Sequence, residues 1–147
     1  MDISNLKIGK NIEYIMSSQE LIEALGKEIT NYDGKTRQMT DNLKAVFPSD
    51  CELQIDIDSG YNKSVFEDQW RRFNIMVPEA TIKSYKSSKS GQIGRFHIVI
   101  TLPFRVNAEQ RIMLQALLGS DLKRELYNLC SLVNGDETPT VFLEKKE

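Results

Sequence analysis

At Cys51 the hydrophobic period of this chain changes, and the change limits what the chain can fold into. Leu53, Ile55 and Ile57 alternate with Gln54, Asp56 and Asp58. A period of two puts alternate side chains on opposite sides of an extended backbone. The run therefore predicts a half-buried strand that ends at Ser59-Gly60. Residues 95–101 repeat the pattern, with Phe96, Ile98 and Ile100 set against Arg95, His97, Val99 and Thr101. Two such strands imply a sheet with one apolar and one polar face.

Helical spacing fills the gaps between strands. Val65, Phe66, Trp70 and Phe73 predict a helix over 64–74, with Ser64 and Glu67 as a capping pair and Pro78 closing the segment. Trp70, Phe66 and Phe73 read as core packing. Residues 81–87 form a weaker strand, followed by a Gly/Ser-rich turn over 87–94. Tyr85 lies between two lysines on that strand, where an exposed aromatic could stack a base. Asn107, with Gln110 three residues on, caps a helical region that runs to about Val133. Met113, Leu117, Leu126 and Leu129 are expected core positions, and Gly119-Ser120 marks a kink or a break. Residues 140–144 read as a short final strand.

In order, the body over 51–147 is β-α-β-β-α-β. The expected class is α+β: an RRM-like or ferredoxin-like βαββαβ sandwich whose four antiparallel strands carry helices on one face. Residues 1–50 read as a helical N-terminal extension. Ser17 and Glu20 make an S-x-x-E cap before Leu21, Ile22, Leu25 and Ile29. That extension is a candidate cover for the other sheet face.

Composition excludes several classes. A chain of 147 residues with 40% hydrophobic and 27% charged residues can build one domain with a real core. A net charge of −2 excludes a uniformly basic nucleic-acid binder, so any such site must be a local patch. Cys51 and Cys130 form no metal-binding spacing. With no secretory or membrane-spanning run, the expectation is a soluble, cytoplasmic protein and no membrane partner.

Asp56 and Asp58 are the most informative pair. Two carboxylates at i and i+2 of a strand lie about 6.6 Å apart on one face, a placement that suits Mg²⁺ or Mn²⁺. The same spacing also describes the solvated face of an amphipathic strand. If Ile55, Ile57, Ile98 and Ile100 pack on helices, His97 falls on the face that carries both aspartates. The stretch 62–97 is basic, with seven Lys or Arg against three Asp or Glu. Within it Lys86, Ser88, Lys89, Ser90 and Arg95 could line a phosphate path.

The strand containing Asp56 and Asp58, followed some forty residues on by the Gly94-Arg95-Phe96-His97 strand, resembles the catalytic core of archaeo-eukaryotic-type primases over about residues 51–101. That resemblance implies two metal-binding aspartates, a histidine on the nucleotide's phosphates, an RRM-like sheet and metal-dependent phosphoryl transfer. Asp56 and Asp58 match the first motif and His97 loosely matches the second. The family's third metal-binding Asp has no clear equivalent, since Asp121 stands in a helical context and Asp136 in a turn. The expected function is a primase-like or RRM-like domain acting on nucleotides or nucleic acid, such as a derivative carried by a mobile genetic element. The alternatives are a catalytically silent interaction module that binds a protein partner, or a plain nucleic-acid binder.

Overall fold

The computed structural model describes residues 43–87 and 94–145, together with Ser17, Glu20 and Glu23. Most of the helical extension read for 1–50 lies outside those residues. The Ser17 cap is within them: Glu20 N–H donates to Ser17 Oγ at 3.2 Å, and that hydroxyl donates to Glu20 Oε1 at 3.0 Å. The end of the extension needs correction. Leu43–Val46 is a strand, β1, and not part of a helix.

Seven elements follow: β2 (Glu52–Ile57), α1 (Gly60–Met76), β3 (Thr81–Ser87), β4 (Phe96–Thr101), α2 (Ala108–Leu117), α3 (Leu122–Val133) and β5 (Phe142–Lys145). The class is α+β. Helix α1 starts four residues earlier than its apolar spacing predicted. The Ser59 hydroxyl accepts from Asn62 N–H and caps it, which leaves Ser64 inside the helix. Asn107 and Gln110 form the reciprocal capping box expected at the start of α2. The Gly119-Ser120 signal is a true break between two helices. Gly119 has φ +88, and a Cβ there would lie 3.0 Å from Phe66 N and from Val65 Cγ1. Only glycine fits that backbone without strain.

Strands β2, β4 and β3 form one antiparallel sheet in the order β2–β4–β3. Leu53, Ile55 and Ile57 face Ile100, Ile98 and Phe96 across β2–β4. Their apolar side packs on Phe66, Leu118, Val106 and Leu102, with Trp70 and Phe73 against the same core. Leu53, Ile55, Ile57, Ile98 and Ile100 are wholly buried, and each such side chain contributes about 1.5–3 kcal/mol. Tyr85 pairs with Ile98 and its ring lies 5.1 Å from that of Phe96, so it belongs to this apolar side.

The expected four-stranded sheet does not form. β5 pairs antiparallel with β1 in a separate two-stranded ribbon. The physical reason lies at the outer edge of β2, where a fourth strand would have to bond. Gln54 N–H donates to Gln115 Oε1 at 2.8 Å, and Gln54 C=O accepts from Arg124 Nη1 at 2.7 Å. Asp56 N–H donates to Ser120 Oγ at 3.0 Å, and Asp56 C=O accepts from Asp121 N–H at 2.7 Å. Glu52 C=O accepts from Arg111 Nε at 2.9 Å. Side chains and the first turn of α3 thus do the work of a strand, and the edge needs no further partner.

That edge also explains a second correction. Helices α2 and α3 turn Arg111, Gln115, Glu125 and Asn128 inward, all of them buried. Met113 and Leu117, expected in the core, are 57% and 60% exposed, and Leu122 is 63% exposed.

Candidate functional site

The polar face of the sheet carries its charges in register. Asp56 of β2 stands opposite His97 of β4, and His97 stands opposite Lys86 of β3. Directly opposed residues share a face, so the three side chains form one row across the sheet. Asp56 and His97 therefore share the face expected from alternation, and Lys86 joins them, while Asp58 lies beyond the end of β2. Asp56 Oδ1 lies 3.6 Å from His97 Nε2, with both side chains 22% exposed. Just beyond the strand ends, Arg95 Nε meets Asp58 Oδ1 at 3.2 Å. Toward the other end of the face, Lys83 Nζ meets Glu52 Oε2 at 2.6 Å. Burial raises the Glu52 carboxyl, but its contacts with Lys83 and Ser49 outweigh that and hold it below the usual range. Ser88, Lys89 and Ser90 lie outside the described residues, between Lys86 and Arg95.

The face is not open. The β1–β5 ribbon reaches over it and is held by side chains. Gln54 Nε2 donates to Val46 C=O at 2.8 Å, and Arg124 Nη2 donates to Val141 C=O at 3.3 Å. The Phe142 ring lies parallel to the His97 imidazole, 4.0 Å between centroids. The Arg124 guanidinium packs on the same Phe142 ring at 4.9 Å. The N-terminal helix expected as a cover lies outside the described residues, and over His97 the covering group is Phe142. It shields the imidazole plane and leaves Nε2 toward Asp56.

Beside the row lies a buried polar layer. Glu125 is 1% exposed. It accepts from Gln115 Nε2 at 3.0 and 2.9 Å, from Asn128 Nδ2 at 3.0 Å and from Arg124 Nη1 at 3.2 Å. Burial pushes its pKa up to about 7 against the pull of Arg124, Gln115 and Asn128, and the Asp56 charge adds to the rise. Burial also raises the Asp121 carboxyl, with Asp58 adding its negative charge. Among the described residues, no buried side-chain nitrogen or oxygen lacks a hydrogen-bond partner.

Several of these residues escaped the sequence reading. Arg124, Ser120, Gln115, Glu125 and Phe142 shape the site but match no motif. A signal was present in α3, where Glu125 and Asn128 recur at helical spacing, a polar pair that a buried face has to satisfy.

The two aspartates do not make a finished cation site as placed. Asp58 faces a guanidinium and Asp56 an imidazole. Among the described residues, no three His, Cys, Asp or Glu side chains gather to hold a metal ion. Nor does any helix among them have the length and apolarity to cross a membrane. No protein-family model, curated protein or solved structure matches the chain.

Proposed function

We propose that the polar face of the β2–β4–β3 sheet binds the phosphates of a nucleotide or a nucleic acid, with His97, Lys86 and Arg95 as its contacts. The observation that carries this reading is the register row Asp56, His97, Lys86, with Arg95 at its end. Imidazole, ammonium and guanidinium groups on one surface are the donor set that phosphate oxygens need. Asp56 and Asp58 hold His97 and Arg95 in place. Lys89, Ser88 and Ser90 follow Lys86 in the chain and would extend the path.

The finer fold reading, RRM-like or ferredoxin-like, is supported by the element order after β1 and by the strand order β2–β4–β3. The pairing of β5 with β1 departs from it. The primase-like form of the reading adds phosphoryl transfer with Mg²⁺ or Mn²⁺ at Asp56 and Asp58. The residues as placed do not fit that ion, because Arg95 occupies Asp58 and no third ligand stands by among the described residues. Phosphate binding needs no third carboxylate, and Lys86 stands exposed at the end of the row.

The test is fluorescence anisotropy with a labelled single-stranded oligonucleotide and, in competition, a nucleoside triphosphate. Lys86→Ala and Arg95→Ala should each weaken binding about tenfold and lower the salt slope by about one. Unchanged binding in both variants, or no binding at low salt, would overturn the reading.

The exposure of Met113, Leu117 and Leu122 on α2 and α3 favours a second reading, a protein-interaction module. In that case Asp56→Asn would be silent and Leu117→Ser would abolish the complex.

A further inference from the structure

We propose that the outer edge of β3 is a docking site for an extended acidic peptide segment, which adds to the β2–β4–β3 sheet as a further strand. The proposal does not rest on what the polar face binds. It concerns the main chain of β3, and Lys86 borders both surfaces.

The two edges of the sheet differ. The β2 edge is taken by Gln115, Ser120, Asp121, Arg111 and Arg124. Among the described residues no strand lies beyond β3, and Thr81–Ser87 is exposed at every position but Ser84.

The ladder fixes which groups that edge offers. Asp56 and Gln54 turn their main chains away from β4, toward Ser120, Asp121, Gln115 and Arg124. In an antiparallel pair the opposed residues His97 and Val99 then turn theirs toward β3. They meet Lys86 and Ser84. Tyr85 and Ser87 alternate with those two, so their N–H and C=O groups point outward. The bulge between Ile82 and Ser84 lies at the start of the strand. The regular run open to pairing is therefore 84–87, long enough to be extended by main-chain bonds.

Side chains beside the edge define the partner. Tyr85 and Ile82 lie on the apolar side of the sheet, yet they are 43% and 38% exposed. The buried core stops at β4 and holds no β3 residue. An apolar side chain set beside Tyr85 would extend that layer. The Glu67 charge reaches Tyr85, so this side takes an uncharged residue. On the polar side Lys83 and Lys86 are the charges of β3, and the strand has no acid. Glu52 already holds Lys83 at 2.6 Å. A carboxylate set beside Lys86 completes a cross-strand ion pair. The partner is thus a strand that alternates apolar and acidic residues. Pairing with a second copy would instead gather the lysines of both strands on one face, a like-charge arrangement that disfavours self-association.

The experiment is NMR-detected hydrogen exchange of the full chain, with a peptide of about eight residues alternating valine and glutamate, and with its valine–lysine counterpart. In the free protein Tyr85 and Ser87 N–H should exchange at least about tenfold faster than Lys86 N–H, after correction for intrinsic rate. The glutamate peptide should raise protection of Tyr85 and Ser87 at least about tenfold, and the lysine peptide should not. Ser87→Pro removes an outward donor at an edge position that tolerates proline. It should weaken peptide binding about fivefold and leave nucleoside triphosphate binding at the polar face unchanged. Tyr85 and Ser87 amides that stay unprotected at millimolar glutamate peptide overturn the proposal in the wild-type protein, whether or not Ser87→Pro folds. Equal protection by the two peptides overturns the acidic partner. Protection that rises with protein concentration alone makes a second copy the occupant, and protection by a single-stranded oligonucleotide but not by the peptide makes it a nucleic acid; either result overturns the proposal.

Discussion

Asp121 N–H donates to the carbonyl of Asp56 at 2.7 Å, so the first turn of α3 grips the strand residue that faces His97. Asp121 also caps α3, its carboxylate accepting from Arg124 N–H at 3.2 Å. One residue therefore starts the helix, sets the turn that carries Arg124 toward Gln54 and fixes the β2 main chain. The position of the site depends on the α2–α3 junction as much as on the sheet.

That dependence makes Gly119 the most sensitive of the described glycines. Gly119→Ala puts a methyl 3.0 Å from Phe66 N at a backbone angle of φ +88. The expected cost is at least about 2 kcal/mol, from strain and from displacement of Ser120 off Asp56 N–H. Urea unfolding of the two proteins measures it. Gly135, whose added Cβ meets nothing within 4 Å, is the control for positive φ alone.

Glu125 gives stability a pH slope of known sign. Its folded value, about 7, lies above the ordinary 4.5, so between those values the folded state holds the extra proton. Stability from this group is full below about 4.5 and is lost as pH rises through about 7. The total change is roughly 3 kcal/mol. Denaturation midpoints at several pH values should show the decline in wild type and a flatter curve in Glu125→Gln.

Arg95 competes with any cation for Asp58, since its Nε already lies 3.2 Å from Oδ1. Arg95→Ala should strengthen Mn²⁺ binding at Asp56 and Asp58 about tenfold, because removing a neighbouring positive charge favours an incoming one. Line broadening in NMR reports it, and Asp58→Asn should remove the gain. Equal broadening in wild type and Arg95→Ala would show that the guanidinium does not guard the carboxylates.

Leu117→Ser should change stability by no more than about 0.5 kcal/mol, as expected for a side chain that is 60% exposed. Ile55→Ala, wholly buried on the adjoining strand, should cost about 2–5 kcal/mol. Paired unfolding curves distinguish the two. A large loss for Leu117→Ser would place that residue in the core after all.

Local periodicity was enough to read much of this molecule. The alternation of Leu53–Ile57 and Phe96–Thr101 placed Asp56 and His97 on one face before any contact was known, because a strand's period of two assigns faces without reference to the rest of the fold. The Asn107 cap and the Gly119-Ser120 break were equally local. Helix α1 was read short because Ser59, not Ser64, satisfies its first N–H groups, a choice that apolar spacing does not encode.

The tertiary structure decided what lies beside those elements. Whether β5 joins β2 or β1 depends on which partner satisfies the β2 edge, and that edge is taken by Gln115, Ser120 and Arg124 from more than sixty residues away. The same long-range bonds turned the polar side of α2 and α3 inward and left Met113 and Leu117 exposed, against their apolar character. They also brought Phe142 over His97. Sequence alone settled which residues share a face, because that follows from backbone geometry. Only the folded chain settled which groups meet across space, because hydrogen-bond satisfaction at a strand edge is a property of the whole structure.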